Sequence, residues 1–500
     1  MTKALNYQKW VTNSLFGRLF FILIPFCVVG YFSFLTRHYQ IDDALIYLRY
    51  VKNFHNGFGL VYNPGERFNG LTSPVFTYFS IASSFVFRNL QTAMIVMSAV
   101  YFACASILGG KLLSNGKWEA LFTTVVVGSF GYFYSTFGME TPLFLVLIAL
   151  SLYLYKLDSE YFVIALALLI NTRYEGVFLA LPLAADFLIK NRKLPDAKLL
   201  TISLAIVLIP FVFNYLYYGD ILPATANAKL GQGKSGFWEG HLSFLNMNHL
   251  IKNYFSNSDV SAYFFLLSSA YGLYVSLKER IAVVIVIFLV LLACFYVGLN
   301  LPNYPWYYGP FFYLLLIFSC RGVWKLFANL FPRRAFDYRV LAFFVLCVLT
   351  GYMFKNVVSF KEKGRIEEYA RIGGWLKMNT PSNASVAMVE IGTVGYYSDR
   401  FIVDVLGLVN KYNADYIAKS DVYGWLSHYQ PDYILRHEPI WRWEVSTITL
   451  EKSGAYIPVD GFNYPKFVLL KKTDKYSNTE IANYFRNVSE QVAATKELKQ

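Results

Sequence analysis

Charge is scarce in this chain. Of its 500 residues only 15% are Asp, Glu, Lys or Arg, while 56% are hydrophobic and 19% aromatic. A string of soluble domains is excluded for most of the length, because run after run reaches the roughly 20 apolar residues that span a hydrocarbon core. Cysteine is scarce too: Cys27, Cys104, Cys294, Cys320 and Cys347 all lie inside apolar runs. They form no C-x-x-C and no zinc spacing, and read as inert core residues. No small-residue cleavage site follows the first run, RLFFILIPFCVVGYFSFL, which therefore reads as an uncleaved signal anchor. No internal repeat has a convincing period, which counts against an inverted-repeat transporter. Gly57, Gly59 and Gly65 have turn spacing and lack the strand–helix context of a nucleotide fingerprint. Acids are the minority sign, and the net charge is +13. The basic residues cluster at helix ends, so the excess reads as membrane topology, with no nucleic-acid partner.

What is present is a polytopic α-helical membrane protein. The basic stretches Met1–Arg18, Lys190–Lys198, Lys278–Arg280 and Arg321–Arg339 are expected in the cytoplasm. Helices are expected at 199–217, 260–277, 281–300, 309–325 and 339–356, the last leaving the remainder outside. The run 160–189 is interrupted by NTRYEG, and Asn171, Arg173 and Glu175 are costly in mid-bilayer. Two short helices with a polar outer link resolve that conflict. Parity then sets Lys111–Lys117 inside and Gly138–Pro142 outside. It makes 71–88, which holds Pro74 and ends at Arg88, an interfacial helix that does not cross. The result is about eleven crossings, with the N-terminus cytoplasmic.

The C-terminal region differs in kind. GRIEEYARIGGWLKMN has helical spacing. SVAMVEI, FIVDVLGL, DYILRH and KFVLLKK read as short buried strands. A terminal helix is expected from about Thr473. The division is therefore 1–356, membrane domain, and 357–500, an extracytoplasmic α/β domain.

In that topology the polar residues near the membrane collect on the outer side. Asp42, Asp43, Arg49, Lys52, His55, Glu66 and Arg67 occupy the first outer loop, 37–90. Glu140 precedes the fourth crossing. Arg173 and Glu175 sit in the link, and Asp220, Asn227 and Lys229 follow the seventh crossing. Tyr304, Trp306, Tyr307 and Tyr308 precede a later one. Adjacent carboxylates beside a bilayer are costly. Asp42-Asp43 reads as a general base for an acceptor hydroxyl, or as a helix N-cap and solvated first turn. Arg and Lys suit a lipid phosphate, and aromatics suit a sugar or a lipid entrance. Each also has a structural reading: an ion pair for Arg173–Glu175, a helix-dipole charge for Glu140, snorkelling for Arg49 and Lys229, and an interfacial belt for 304–308. His55 alone reads as a loop residue. The spacing of the acids makes no metal motif; a divalent cation remains an option for the chemistry.

DDALIYLRYVKNFHNGFGLVYNPGERFNGLTSPV resembles the first outer loop of GT-C superfamily, polyprenyl-phosphate-dependent glycosyltransferases. The likeness is greatest to terminal cell-wall arabinofuranosyltransferases and their uncharacterised relatives. GMETPLF, TRYEG, YYGDILPATANAK, PWYYGP and EIGTVGYYSDRFIVDVLGL continue it in order from about 40 to 408. The resemblance implies a GT-C transmembrane catalytic domain in a bacterial inner membrane. It implies sugar transfer, with inversion, from a polyprenyl-phosphate donor to an envelope glycan, lipid or protein. Asp42 would be the catalytic base, Asp43 would orient the acceptor or position the base, and Glu140 would line the same cavity. Arg173 and Lys229 would face the donor phosphate, with Arg49, Arg67, Glu175, Tyr307 and Tyr308 completing the donor site. Where this chain has Asn69, Ser73 and Ala224, relatives often have Glu, Asn and Asn, which bears on the sugar more than on the reaction. Protein O-glycosylation and lipid A modification are rivals on the same scaffold; a polysaccharide or lipid transporter is the rival of another class.

Overall fold

The computed structural model describes residues 15–238, 241–246, 259–300, 304–330 and 365–497. Before residue 331 the regular structure among the described residues is all helical. Among the described residues four helices are long and apolar enough to cross a membrane: Leu90–Leu112, Ala197–Tyr218, Arg280–Gly298 and Pro305–Leu330. Shorter apolar helices cover Phe21–Leu35, Thr141–Lys156, Phe162–Thr172 and Val260–Ser276. The expected helix 339–356 and the leader residues Lys3 and Lys9 lie outside the described residues.

The interrupted run does split. Helices Phe162–Thr172 and Val177–Asn191 flank a single tight turn, Tyr174–Gly176. In the first-loop region, helix Pro74–Ser84 has 11 residues. Its rise is about 16 Å, half a hydrocarbon core. It rests on helices Asp42–His55, Leu90–Leu112 and Phe162–Thr172. Helices Asp259–Ser276 and Gly309–Leu330 cross closely because both are glycine at the contact. A Cβ on Gly272 would overlap the Phe318 carbonyl oxygen, and one on Gly322 the Ser268 carbonyl. Ser268 and Ser319 hydroxyls hydrogen-bond across the seam at 2.6 Å, a small-residue packing common between membrane helices.

The polar residues sort to the two ends of the bundle. At one end Lys156 Nζ donates to the Leu112 carbonyl at 2.6 Å, and Arg280 pairs with Asp186 at 2.5 Å. Arg321, expected in a solvated basic loop, departs from that reading. It lies inside helix Gly309–Leu330, 4% exposed, paired with Glu119 at 2.7 Å and Glu279 at 3.2 Å. A guanidinium there is satisfied by two carboxylates from neighbouring helices rather than by water.

Residues 365–497 form the α/β domain, a five-stranded sheet in the order β2-β1-β3-β5-β4. Its strands are β1 Ser385–Met388, β2 Phe401–Asp404, β3 Tyr433–His437, β4 Tyr456–Pro458 and β5 Phe467–Lys472. β2, β1 and β3 are parallel, while β3–β5 and β5–β4 are antiparallel. Side chains alternate with period two. Val386, Ile402, Leu435 and Leu469 join the core that runs on into the helical part. Ala387, Val403, Ile434 and Leu470 face a separate core with Trp425, Leu450 and Phe485. β4, absent from the sequence reading, is an edge strand of three residues closed by Pro458, where a missing N–H is tolerated. Helices Arg365–Asn379 and Asn478–Glu497 lie where expected.

Candidate active site

Helix Asp42–His55 begins at the acidic pair. Its two leading carboxylates part company. Asp42 turns to the C-terminal domain, where its Oδ2 accepts from the Gly392 N–H at 2.8 Å and its Oδ1 from the Thr393 N–H at 2.7 Å. Those N–H groups open helix Ile391–Ser398, whose own N-cap residue, Glu390, supplies no capping bond. Asp43 is half-buried and takes part in the charge set of the bundle. Burial pushes its carboxyl up from 3.8 to about 6; Lys229 pulls it down, and the Asp42 and Glu140 charges add to the rise.

Beside Asp43 is a cavity of about 400 Å³, lined by Thr72, Glu140, Arg173, Glu175, Thr225, Lys229, Trp306 and Tyr307 among others. Six segments build it. Glu140 is brought in at the head of helix Thr141–Lys156, after a loop in which Gly138 takes φ 88°. Arg173 and Glu175 come from the tight turn. Arg173 Nη2 donates to Glu175 Oε1 at 3.1 Å and to the Tyr296 hydroxyl at 3.0 Å, and its Nε lies 4.0 Å from Glu140 Oε1. Helix Ala224–Lys234 presents Lys229 to three rings: Tyr304 at 4.9 Å, Trp306 at 5.1 Å and Tyr307 at 5.5 Å. Burial pulls the Lys229 ammonium down, yet Tyr307, Asp43 and Glu140 outweigh it and hold it above its ordinary value.

The other expected site residues are elsewhere. Arg49, expected at a donor phosphate, is engaged by protein acceptors. Its guanidinium donates to the carbonyls of Tyr62 (2.8 Å), Gly395 (2.6 Å) and Arg400 (2.6 Å), and to Asn63 Oδ1 (3.1 Å). Those acceptors hold its N–H donors inside a buried seam between the first loop and the C-terminal domain. Arg67 is exposed over the Tyr217 ring at 5.0 Å. Tyr308 points away from the cavity: its hydroxyl donates to the Phe244 carbonyl at 2.8 Å and its ring stacks on Phe244. Lys52 pairs with Asp399, and His55 with Ser84. Asp220 and Asn227 are exposed.

Searches for likeness find structure, not sequence. No curated protein sequence matches the chain. A family profile described as a domain of unknown function (DUF8728) matches residues 359–485. Among solved structures, ArnT from Cupriavidus metallidurans bound to undecaprenyl phosphate superposes with a TM-score of 0.60 at 12% identity, covering 92% of this chain and 99% of that one. The apo state of the same protein gives 0.59 at 12% identity, with 92% and 98% covered. The chain has the fold of ArnT. Both have a long helical part followed by a small sheet domain.

On this fold several site features carry no local sequence signal. Thr72, Thr225 and Tyr296 reach the cavity or its arginine from three separate segments. Glu140 Oε2, Thr225 Oγ1, Asn69 Nδ2 and Ser73 Oγ are buried without a hydrogen-bond partner among the described residues. Such atoms are uncommon and mark a place where a ligand or water completes the bonding. Among the described residues no three His, Cys, Asp or Glu side chains come together as a metal set.

Proposed function

We propose that the protein is a GT-C membrane glycosyltransferase. It transfers a sugar from a polyprenyl-phosphate donor to an extracytoplasmic acceptor, with inversion. The observation that carries this reading is the convergence of Glu140, Arg173 and Lys229 with stacked aromatics around one cavity, with the Asp43 carboxyl within electrostatic reach of Lys229 and Glu140. The likeness to a fold that was solved with undecaprenyl phosphate supports a polyprenyl phosphate as the lipid. The first-loop resemblance favours an arabinofuranose-like pentose. The basic end of the bundle would face the cytoplasm of a bacterial inner membrane, with the C-terminal domain outside.

The chemistry is a single displacement. An acceptor hydroxyl gives its proton to the Asp43 carboxylate while its oxygen bonds to the anomeric carbon. The bond from that carbon to the phosphate oxygen breaks, and the lipid phosphate leaves with the electron pair. A carboxyl raised to about 6 is ionised near neutrality and basic enough to accept the proton. Lys229, caged by rings and in contact with Tyr307, is the cation for the departing phosphate. Arg173, tied to Glu175 and Tyr296, holds Glu140 and adds positive field. The orphaned oxygens of Glu140 and Thr225 suit the hydroxyls of a sugar. The base assignment thus moves from Asp42, engaged with a helix N-terminus, to its neighbour.

The test is donor turnover by purified protein with a panel of synthetic polyprenyl-phosphate sugars and envelope acceptors. Asp43→Asn abolishes transfer while leaving donor binding within about threefold, as expected for a group acting only in the transition state. Full activity in that variant would remove Asp43 from the chemistry.

A further inference from the structure

Asp42 is joined to the C-terminal domain across 350 residues of sequence, and the joint is built with unusual closeness. A Cβ on Gly392 would overlap the Asp42 carbonyl oxygen and reach 2.7 Å from its carboxylate. One turn on, a Cβ on Gly395 would meet the Tyr62 hydroxyl and stand 2.8 Å from Arg49 Nη1. Helix Ile391–Ser398 therefore presents a glycine face at 392 and 395 to helix Asp42–His55 and the loop after it. The seam is then filled with directional bonds. The Tyr62 hydroxyl donates to the Ile391 carbonyl at 2.7 Å, and Arg49 to the Gly395 and Arg400 carbonyls. Asn63 both accepts from Ile402 N–H at 3.0 Å and donates to its carbonyl at 2.9 Å. Lys52 pairs with Asp399.

This arrangement fixes the start of the helix that carries Asp43. Position 42 is the first helical residue, where backbone torsion is least constrained by intrahelical bonds. Two N–H donors to one carboxylate, from the positive end of a helix, remove that freedom. Asp43 follows directly on the same first turn, so its backbone shares that anchor.

We infer that Asp42 is a positioning residue: the Gly392–Thr393 N-terminus grips its carboxylate and thereby aims Asp43, making the C-terminal domain part of the catalytic apparatus. The inference rests on the glycosyltransferase reading with Asp43 as base.

The experiment uses the full-length protein and four variants, Asp42→Asn, Asp42→Ala, Gly392→Ala and Asp43→Asn. Donor turnover and amide hydrogen exchange are both measured. Asn keeps one acceptor oxygen for the N–H pair, and Ala keeps none. The expected order of kcat is wild type, then Asp42→Asn, then Asp42→Ala, with Asp43→Asn lowest. Gly392→Ala, which keeps both acids, falls about tenfold to a hundredfold, and donor KM stays within about threefold throughout. Exchange in 42–55 and 391–398 rises together in Asp42→Ala and Gly392→Ala, a readout that needs no turnover. Asp42→Asn as inactive as Asp43→Asn, with Gly392→Ala at the wild-type rate, would make Asp42 a chemical participant and overturn the inference. So would unchanged exchange in 42–55 when 391–398 loosens. Failure of the underlying reading looks different: Asp43→Asn would turn over normally, or no wild-type transfer would occur while the exchange result stood.

Discussion

Replacing Asp43 by Asn is expected to stabilise the protein at neutral pH while abolishing transfer. The carboxyl is raised from 3.8 to about 6 by burial, with Asp42 and Glu140 adding to the rise against Lys229. At roughly 1.4 kcal/mol per pH unit, that rise corresponds to a folding penalty of at most about 3 kcal/mol. Asp43 keeps part of its water, so about 1–3 kcal/mol is the working range. The sign follows from linkage. Below pH 4 the group is protonated both folded and unfolded, and it contributes nothing. Between about 4 and 6 the unfolded chain ionises first, and the penalty grows. Above 6 it is fully present. Thermal unfolding in detergent, followed by intrinsic fluorescence at pH 4.5 and 7.5, reads the difference. Asp43→Asn melts on the order of 1–5 °C above wild type at pH 7.5, and the gap shrinks by pH 4.5. A variant melting at or below wild type at pH 7.5, or a gap equal at both values, would refute the reasoning. The same titration gives wild-type transfer an acid limb near pH 6, with about a tenth of the ionised base left at pH 5.

Lys229→Ala removes the charge that pulls Asp43 down, so the acid limb moves to higher pH as the maximal rate falls; a limb that stays put or moves down would separate the two groups. Arg49→Ala takes the guanidinium donor from the Gly395 and Arg400 carbonyls, and one of two donors from the Tyr62 carbonyl, which keeps Asn53; it costs about 2–4 kcal/mol, read as a lowered melting point. Arg49→Lys recovers only part of it, because an ammonium cannot span the same acceptors. Donor KM in either Arg49 variant tracks the folded fraction alone; a specific rise in KM would return Arg49 to the phosphate.

The helical part and the α/β part were legible because both rest on local pattern. Long apolar runs have one outcome beside a bilayer, and VAM, IVD, YIL and FVLL lie in short apolar runs bounded by turn residues, as buried strands do. β4 was missed because three residues ending in proline carry no periodicity. Glu140, Arg173, Glu175, Lys229 and Tyr307, grouped on topology alone, do line one cavity. Asp42, Arg49 and Tyr308 were grouped with them and are directed elsewhere. The reason is sequence distance. Whether a carboxylate meets substrate or an N–H depends on a contact 350 residues away, and no spacing rule reports that. Arg321 was misread for the same reason, since Glu119 and Glu279 are remote in sequence.

Helix Ala197–Tyr218 packs chiefly on helix Phe162–Thr172, and only 11% of its apolar window is buried within the protein. Among the described residues, most of its apolar surface has no protein against it. Yet five residues beyond its end begins the short helix that delivers Lys229 to the cavity. In a bilayer, acyl chains against that surface would steady the helix that carries Lys229, and bilayer thickness would then act on the cavity. A preparation stripped of lipid would retain its sheet domain and its acidic helix. What it would lose first is the height at which Lys229 stands.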